Sequence, residues 1–225
     1  MYKNLEVLDK QNHKDMGFDN ISELEVSKSL GYVPVGANEV LDMSAFAPVL
    51  ITKIEDGEFA AFTGINNELN IYDKAGSYIP MLALSYPFIN ITVRNQDNNL
   101  NDVIGIDNSE FVGEKKANDI FNKSQELEEL AQNKISIVRE LNRQRDISKK
   151  IVSELKEHDL LEKKDFRVNI DGEEKVLLKE FYVINRDKLA KLDDAVLAQW
   201  ARKGWMGVFD AHFNSLSKFQ KVLQK

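Results

Sequence analysis

The sequence predicts an α+β fold, namely a curved antiparallel sheet with a long helical insertion and a C-terminal helical pair packed against it. Strand-like segments occupy residues 43–107, and a second strand pair follows at 165–184. Between them, residues 114–158 contain neither Gly nor Pro and place apolar residues three and four apart, which is the spacing of a helix. A further helical pattern over 187–224 supplies the C-terminal pair.

The chain is long enough for one sizeable core, since it has 225 residues, of which 43% are hydrophobic. All four prolines lie in the first half, and no Gly-, Ser- or Pro-rich stretch follows them that would serve as a linker. We therefore predict a single domain over residues 1–225. Its first part, residues 1–40, is polar and punctuated by glycines, which predicts an extended N-terminal arm partly packed through Tyr32, Val33 and Val35.

The strand-rich part opens with a hairpin pattern. "AFAPVLITKI" and "FAAFTGI" flank the turn "EDGE", with Gly57 at the permissive turn position. Pro80 and Pro87 have no amide donor, so neither is expected in a central ladder. The segment between them, 81–85, is either a short helix or an edge segment. "FINITV" alternates in the manner of a half-buried strand, and "DVIGID" predicts another strand at 102–107.

The helical insertion over 114–158 carries an apolar stripe and charges of both signs, as on a solvated helix face. The stripe comprises Ile120, Phe121, Leu127, Leu130, Ala131, Ile135, Val138, Leu141, Ile147, Ile151, Val152 and Leu155. It is interrupted by "NRQRD" after Leu141, which predicts a break into two helices there. Because the stripe is irregular, packing within the molecule is favoured over a coiled-coil partner.

Turn signals organise the last third of the chain. Asp171 and Gly172 lie between "FRVNI" and "KVLLKEFYVI", a pattern typical of a β-hairpin over 165–184. Helical spacing then predicts a helix that ends at Gly204 in the left-handed conformation. Trp200 and Trp205 lie on either side of this junction, where we expect both to be buried.

The composition argues against several classes of function. The chain contains no cysteine, which rules out disulfides, thiol nucleophiles and cysteine–zinc sites. Residues 1–111 hold 7 Lys and Arg against 17 Asp and Glu, and the whole chain has a net charge of −7, which argues against nucleic acid as a partner. No apolar run approaches the roughly 20 residues that cross a bilayer, and no secretory signal is evident. We therefore predict a cytoplasmic protein without a transmembrane segment, whose acidic half is either simply solvated or faces a basic partner.

His212 lies within an apolar pattern near the C-terminus. Its positions are three and four residues apart: Trp205, Phe209, His212, Leu216, Phe219 and Leu223. This spacing puts His212 on the buried seam of an amphipathic helix, with Asp210 on a different side. The favoured interpretation is a core histidine hydrogen-bonded to the backbone or to a carboxylate. The alternative is a general base or ligand whose partner comes from elsewhere.

No stretch matches a phosphate-binding glycine loop, a nucleophile elbow, a zinc-protease helix motif or a calcium loop. Glu39, after "PVGAN", is a candidate carboxylate, although a solvated charge is the commoner role. His212 and Glu39 would be the catalytic candidates only if the protein were an enzyme. We predict no metal and no cofactor, and we favour a protein that is not an enzyme.

Four stretches, in order, resemble one protein family. They are "YVPVGANEV", "NELNIYDKAGSYIPMLALSYPF", "DGEEKVLLKEFYVINRDKLAKL" and "GWMGVFDAHFNSL". By their order and spacing over residues 32–220, the chain is identified as a member of the SapC family, which is named for association with bacterial S-layer loci. In two places the sequence departs from the family pattern, because Leu84 and Ser85 stand where basic residues are usual and Phe213 replaces a leucine. The residues that match the pattern include Tyr86, Pro87, Phe88 and His212.

The resemblance implies a role around S-layer or surface-protein export, beside a type I secretion apparatus, and it implies no reaction, cofactor or catalytic residue. We therefore predict a non-enzymatic accessory protein that binds an S-layer protein or an export component in the cytoplasm, and leave a homo-oligomer open. An exposed strand edge near residues 79–88 is the expected site, through addition of an extended segment. The predicted binding residues are Tyr78, Pro80, Tyr86, Pro87, Phe88 and His212. The alternative is an enzyme or small-ligand binder that acts on a surface protein or its glycan through a pocket including His212.

Overall fold

The computed structural model describes residues 2–52, 57–66, 69–73, 76–95, 97–170 and 173–222. The strands, numbered along the chain, are β1 Leu5–Val7, β2 Met16–Phe18, β3 Tyr32–Pro34, β4 Val49–Ile51, β5 Phe59–Phe62, β6 Gly64–Asn66, β7 Leu69–Asn70, β8 Phe88–Arg94, β9 Leu100–Asp107, β10 Val112–Glu114, β11 Asn118–Asp119, β12 Leu161–Ile170 and β13 Glu173–Ile184. The α-helices are α1 Lys10–His13, α2 Glu23–Lys28, α3 Glu39–Ser44, α4 Met81–Leu84, α5 Glu129–Glu157, α6 Arg186–Leu189, α7 Asp194–Arg202, α8 Trp205–Ser215 and α9 Phe219–Val222. Short 3₁₀ segments add Ile71–Asp73 and Leu216–Lys218.

The α+β class is confirmed. Every strand pairing among the described residues is antiparallel. As expected, the long helix α5 lies between β11 and β12 in the sequence, and the C-terminal helices follow β13. Contacts divide the chain into two compact units. Unit 1 comprises Met1–Leu30 and Ile79–Asn142, and unit 2 comprises Gly31–Tyr78 and Arg143–Lys225. That the chain is a single domain stays a prediction.

Unit 1 contains two three-stranded sheets, ordered β1-β9-β8 and β10-β2-β11. β8 and β9 form a hairpin, and β1 pairs with the other side of β9. Apolar residues from both sheets and from the first turns of α5 make the core of this unit. They are Phe18, Phe88, Ile106, Val112, Ile120, Phe121, Ala131, Ile135 and Val138.

Unit 2 is built around a five-stranded sheet ordered β12-β13-β4-β5-β3, with the short pair β6-β7 in addition. Both predicted hairpins, β4-β5 and β12-β13, are confirmed as antiparallel pairs. The turn residues Asp171 and Gly172, and most of the turn "EDGE", lie outside the described residues. β13 joins the rest of the sheet at one paired position, Tyr182 opposite Ile51. The helices α3 and α8 pack against each other, and α8 also contacts β4 and β13.

The strands expected over 43–107 do not share one sheet. β4 and β5 belong to the sheet of unit 2, whereas β8 and β9 belong to unit 1. An alternating pattern indicates that a segment is a half-buried strand, but it does not specify the neighbouring strand. β9 finds its second partner in β1, which comes from the N-terminal segment.

Residues 1–40 are incorporated in the fold and do not extend as an arm. β1 and β2 pair within unit 1, and β3 forms an edge of the unit 2 sheet. Val33 and Val35 are fully buried, as expected. Strands of three residues carry too short a pattern to be recognised in a polar sequence, so pairing with distant strands creates these elements.

The long helix begins later than predicted. Residues 112–114 and 118–119 form strands, and α5 begins only at Glu129. Ile120 and Phe121 are buried, as the stripe indicates, but not on a helix, because the amide of Ile120 donates to the carbonyl of Met16 at 3.1 Å. Burial at these positions therefore comes from pairing with β2 and not from helical periodicity.

The predicted break at "NRQRD" is wrong, because α5 continues without interruption to Glu157. Gln144 and Ser148 are fully buried and continue the inward-facing stripe where apolar residues are missing. The side chain of Gln144 accepts the Asn38 amide at 3.2 Å, and Ser148 donates to the carbonyl of Gln144 at 3.2 Å. A buried polar side chain with hydrogen-bond partners thus takes the place of an apolar one.

The C-terminal junction and the prolines follow the predictions. Gly204 has a φ of 77°, in the left-handed region, and separates α7 from α8. Trp200 and Trp205 are both buried, with ring centroids 6.2 Å apart. Pro80 directly precedes α4 and Pro87 directly precedes β8, so neither interrupts a ladder.

Candidate functional site

His212 lies on α8 and has no exposed surface. Its Nδ1–H donates to the carbonyl of Val49 at 2.8 Å, and its Nε2 accepts the amide of Ile184 at 3.1 Å. A neutral imidazole offers one donor and one acceptor, so both ring nitrogens are occupied by backbone groups.

The imidazole fills a gap in the sheet of unit 2. β4 and β13 pair at one position, and two residues further along the same register Val49 would stand opposite Ile184. In place of a direct bond between these residues, the His212 ring bonds to both. Ser215, one turn later on α8, accepts the amide of Val49 at 2.9 Å. The helix therefore supplies two side chains that complete the hydrogen bonding of two diverging strands.

Burial lowers the pKa of His212 to about 4, although the hydrogen bond to Val49 works in the opposite direction. The ring is therefore neutral near pH 7, and its nitrogens are occupied. This geometry fits a core histidine bonded to the backbone. It gives no support to a general base or a metal ligand at this position.

Glu39, the other catalytic candidate, is buried at the start of α3, so it is not a solvated charge. Its Oε2 accepts the amide of Gly36 at 3.1 Å, and its Oε1 accepts the hydroxyl of Tyr78 at 3.2 Å. The bond to Gly36 resembles the bond of a capping box, in which a carboxylate reaches back over the first turn. Burial, and then the Glu39 carboxylate, raise the pKa of Tyr78, which keeps the phenol protonated as a donor.

The loop that carries "PVGAN" is held against α5. A Cβ on Gly36 would lie 2.3 Å from the Cβ of Gln144, so this position has no room for a side chain. The amide of Ala37 bonds to the backbone of Gln144, and the amide of Asn38 bonds to its side chain. The loop thus serves packing within unit 2, and the hydrogen-bond partners found for Glu39 differ from those of His212.

Tyr86, in unit 1, belongs to a buried polar cluster around Asp107. The Asp107 carboxylate is 1% exposed and accepts the backbone amides of Tyr2, Lys3 and Asn4 at 2.8, 3.1 and 2.9 Å. The hydroxyl of Tyr86 donates to the same carboxylate at 3.0 Å. Burial raises the pKa of Tyr86 to about 12. Sequence reasoning missed Asp107, whose only local signal is an acidic residue that ends an apolar strand.

The remaining predicted binding residues are placed by packing. Pro80 and Pro87 are buried. Phe88 lies in the core of unit 1, with its ring 5.4 Å from that of Phe18. Tyr78, in unit 2, is partly buried and donates to Glu39. These side chains stabilise the two units from inside and present little surface to a partner.

Unit 1 has an open strand edge, because β8 is the last strand of the order β1-β9-β8 and no further strand among the described residues pairs with it. The carbonyl of Pro87 accepts the amide of Asp107, and the amide of Asn95 donates to the carbonyl of Asn99, both at 2.9 Å. The backbone groups of the odd-numbered residues of β8 therefore face β9. Since backbone groups alternate along a strand, those of Asn90, Thr92 and Arg94 point away from β9. Among these, Thr92 and Arg94 are exposed.

Two further findings concern the part of the chain that the structure describes. Within it, no helix is long and apolar enough to span a bilayer. Across the same residues, no three His, Asp or Glu side chains come together as ligands for a metal ion. Neither finding adds a residue to the candidate site.

Comparison with known proteins identifies a family and nothing closer. No curated protein and no solved structure matches the chain. A protein-family model matches residues 8–222, nearly the whole chain, and its description is SapC. The match covers all four stretches through which the sequence resembles this family. The chain therefore belongs to the SapC family.

Proposed function

We propose that this chain is a non-enzymatic accessory protein that binds an S-layer protein, another surface protein or a component of its export apparatus in the cytoplasm. The class of partner follows from the SapC resemblance. The observation that carries the proposal is the open outer edge of β8. An extended segment of the partner binds along this edge as an added strand.

The outer edge of β8 has the properties that strand addition needs. Unpaired amides and carbonyls on an edge can pair with an extended chain, so that main-chain bonds supply the affinity. β8 is seven residues long and is paired with β9 along its whole length, which gives an incoming strand a firm template. Natural edges are commonly blunted by charges, prolines or bulges, and β8 carries only Arg94, at its far end.

The geometry around His212 does not favour the alternative of an enzyme or small-ligand binder. The ring is enclosed, and backbone groups occupy both nitrogens. Glu39 is bonded to Gly36 and Tyr78. A reaction that used His212 or Glu39 would require these hydrogen bonds to break, and access to His212 would also require α8 to move away from the sheet.

The test is affinity purification of the tagged chain from its native host, with wild type, Thr92→Pro and Thr92→Val in parallel. Proline removes one outward-pointing amide and leaves the backbone bonds to β9 in place, whereas valine leaves the backbone unchanged. Both variants lose the side-chain bond from Thr92 to Asp102, so the comparison between them isolates the amide. We expect a surface protein or export component to co-purify with wild type and with Thr92→Val. Its recovery should fall at least about fivefold with Thr92→Pro.

Urea unfolding of the Thr92→Pro protein shows whether its fold is retained, and Asn90→Val with an unchanged backbone serves as a second control. Equal recovery of the partner by wild type and a folded Thr92→Pro protein would exclude the β8 edge as the site. Absence of any surface or export protein from the wild-type purification would count against the function itself.

A further inference from the structure

A second surface of unit 1 lies along the N-terminal half of α5. This part of the helix buries Ala131, Ile135 and Val138 in the core. Leu130 and Ile137 are seven residues apart and therefore lie on one face of the helix, beside the buried stripe. Leu130 is 36% exposed and Ile137 is partly exposed, so an apolar stripe remains accessible to solvent.

These two residues, with Ile21 and Leu84, line a cleft of about 430 Å³. Lys134 lies between them on the helix, and its Nζ donates to the carbonyl of Leu84 at 2.9 Å. The ammonium group is thereby held against the protein, and its alkyl chain adds to the apolar lining. Burial lowers the pKa of Lys134, as expected for a lysine in a partly dehydrated cleft.

The cleft continues into a second one of about 490 Å³, with which it shares Leu130 and Asn133. Asp119, Glu128 and Glu129 line this second cleft. We call the two clefts together the α5 groove. The first cleft combines its apolar side chains with Asp19, Glu23 and Lys134. Carboxylates predominate in the second cleft, and we call Asp119, Glu128 and Glu129 the acidic rim. Unit 1 as a whole holds 10 Lys and Arg against 16 Asp and Glu, which extends the same negative field.

One residue of the acidic rim also has a structural role within the helix. Glu129 lies in the first turn of α5, where a carboxylate offsets the helix dipole. That role does not account for Asp119, which comes from β11, or for the exposure of Leu130. A groove that combines apolar side chains with an excess of carboxylates is complementary in polarity and charge to a segment that carries both apolar and cationic side chains.

We infer that the α5 groove binds a short segment of a polypeptide partner in which apolar side chains are interspersed with Lys or Arg. The inference rests on the proposed function, since the occupant is part of a protein, but it concerns residues other than those of the β8 edge. Leu or Ile side chains of the segment contact Leu130 and Ile137, and its cations face Asp119, Glu128 and Glu129.

Site-specific labelling tests the position of binding. The chain has no cysteine, so one introduced cysteine carries an environment-sensitive fluorophore at a known place. Ser136→Cys puts the label on an exposed position of α5, three residues from Asn133 of the groove, without replacing a lining residue, and Leu100→Cys, at an exposed residue elsewhere in unit 1, is the control. Each full-length protein is titrated with a synthetic peptide of alternating Leu and Lys, and with a second peptide in which Ser replaces every Leu.

We expect the groove label to respond saturably to the Leu-Lys peptide, with at least about tenfold weaker binding of the Ser-Lys peptide, and the control label not to respond. Equal affinity for the two peptides would overturn the inference, because it would mean attraction by charge alone. A groove label that does not respond would overturn it as well.

A charge-matched pair of variants tests the rim. Asp119→Asn with Glu128→Gln removes two groove carboxylates, and Asp97→Asn with Glu114→Gln removes two exposed carboxylates elsewhere in unit 1. We expect the first pair of substitutions to weaken the binding of the Leu-Lys peptide about tenfold and the second pair to weaken it less than about twofold. Equal weakening by both pairs contradicts the inference. The Thr92 variants test the β8 edge separately, so either proposal can fail while the other stands.

Discussion

The two units attach the two ends of the chain by different chemistry. In unit 1, the Asp107 carboxylate accepts the amides of the N-terminal segment and the hydroxyl of Tyr86. In unit 2, His212 and Ser215 on the C-terminal helix α8 bond to the backbone of the sheet. One attachment is a buried carboxylate with several donors, and the other is a neutral imidazole between one donor and one acceptor.

The difference follows from the backbone groups that each attachment satisfies. Residues 2–4 direct three amides at Asp107, and a carboxylate can accept several donors at once. A gap between two strands offers one amide and one carbonyl, which a neutral imidazole can satisfy together. Tyr86 and His212 both belong to stretches that resemble the SapC family. At these two positions, residues of those stretches hold distant parts of the chain together.

The largest effect is expected in unit 1, where Asp107→Ala leaves three backbone amides and a hydroxyl without their acceptor. The free energy of unfolding should fall by about 3–5 kcal/mol, because three partly buried amides and the buried Tyr86 hydroxyl lose their bond to the carboxylate. Urea unfolding at pH 7 measures this, with Asp97→Ala as the exposed control. A loss below about 1 kcal/mol for Asp107→Ala would mean that the N-terminal segment contributes little to unit 1.

Removal of the other attachment, by His212→Leu, should cost about 3 kcal/mol. The buried amide of Ile184 loses its partner, and the carbonyl of Val49 keeps only the longer bond from Ser215 at 3.4 Å. The neighbouring Phe213→Leu is the control, since it installs the residue usual in the family. It should cost less than about 1 kcal/mol, mainly through the lost contact with Arg186. Similar losses for the two variants would show that the bridge between β4 and β13 is unimportant.

Because the attachment in unit 2 uses a neutral imidazole, its contribution to the free energy of unfolding depends on pH. The folded-state pKa of His212, about 4, is below its usual value of 6.5. Below pH 6.5 the unfolded chain therefore takes up a proton that the folded chain does not, and stability falls until the pH passes below the folded pKa. The free energy of unfolding should therefore be about 2 kcal/mol lower at pH 5 than at pH 7 because of His212 alone.

His212→Gln checks this assignment, because a glutamine amide offers a donor and an acceptor but does not titrate. The difference in unfolding free energy between wild type and His212→Gln should shift by about 2 kcal/mol in favour of the variant from pH 7 to pH 5. A difference that stays constant over this range would mean that His212 is protonated in the folded state.

The smallest effects on stability are expected for two glycine substitutions in unit 2, one at a closely packed position and one on an open helix face. Gly36→Ala should cost about 1–2 kcal/mol, because its Cβ meets the backbone-proximal part of Gln144. Gly207→Ala, on an open face of α8, should instead stabilise by about 0.5 kcal/mol. Thermal unfolding of both variants in parallel measures the two signs. The same sign for both would contradict the close approach of the loop to α5.

Local pattern predicts much of unit 2 and less of unit 1. The β12-β13 hairpin, the Gly204 junction and the seam of α8 depend on turn chemistry and periodicity within a short stretch, so the sequence predicts them. β1 and β2 exist because they pair with β9, β10 and β11, which a short polar stretch does not reveal. The continuity of α5 was missed because Gln144 is polar, although its burial depends on the distant loop before α3.

The sequence by itself determined the α+β class, the SapC membership and the burial of His212, because each depends on residue order and local spacing. Only the tertiary structure decided that His212 lies between Val49 and Ile184, that Asp107 holds the N-terminal segment, and that β8 keeps an open edge. The physical reason is that these features depend on which distant segments meet. A backbone amide or carbonyl is the same in every residue other than proline, so its partner is chosen by the packing of the whole chain.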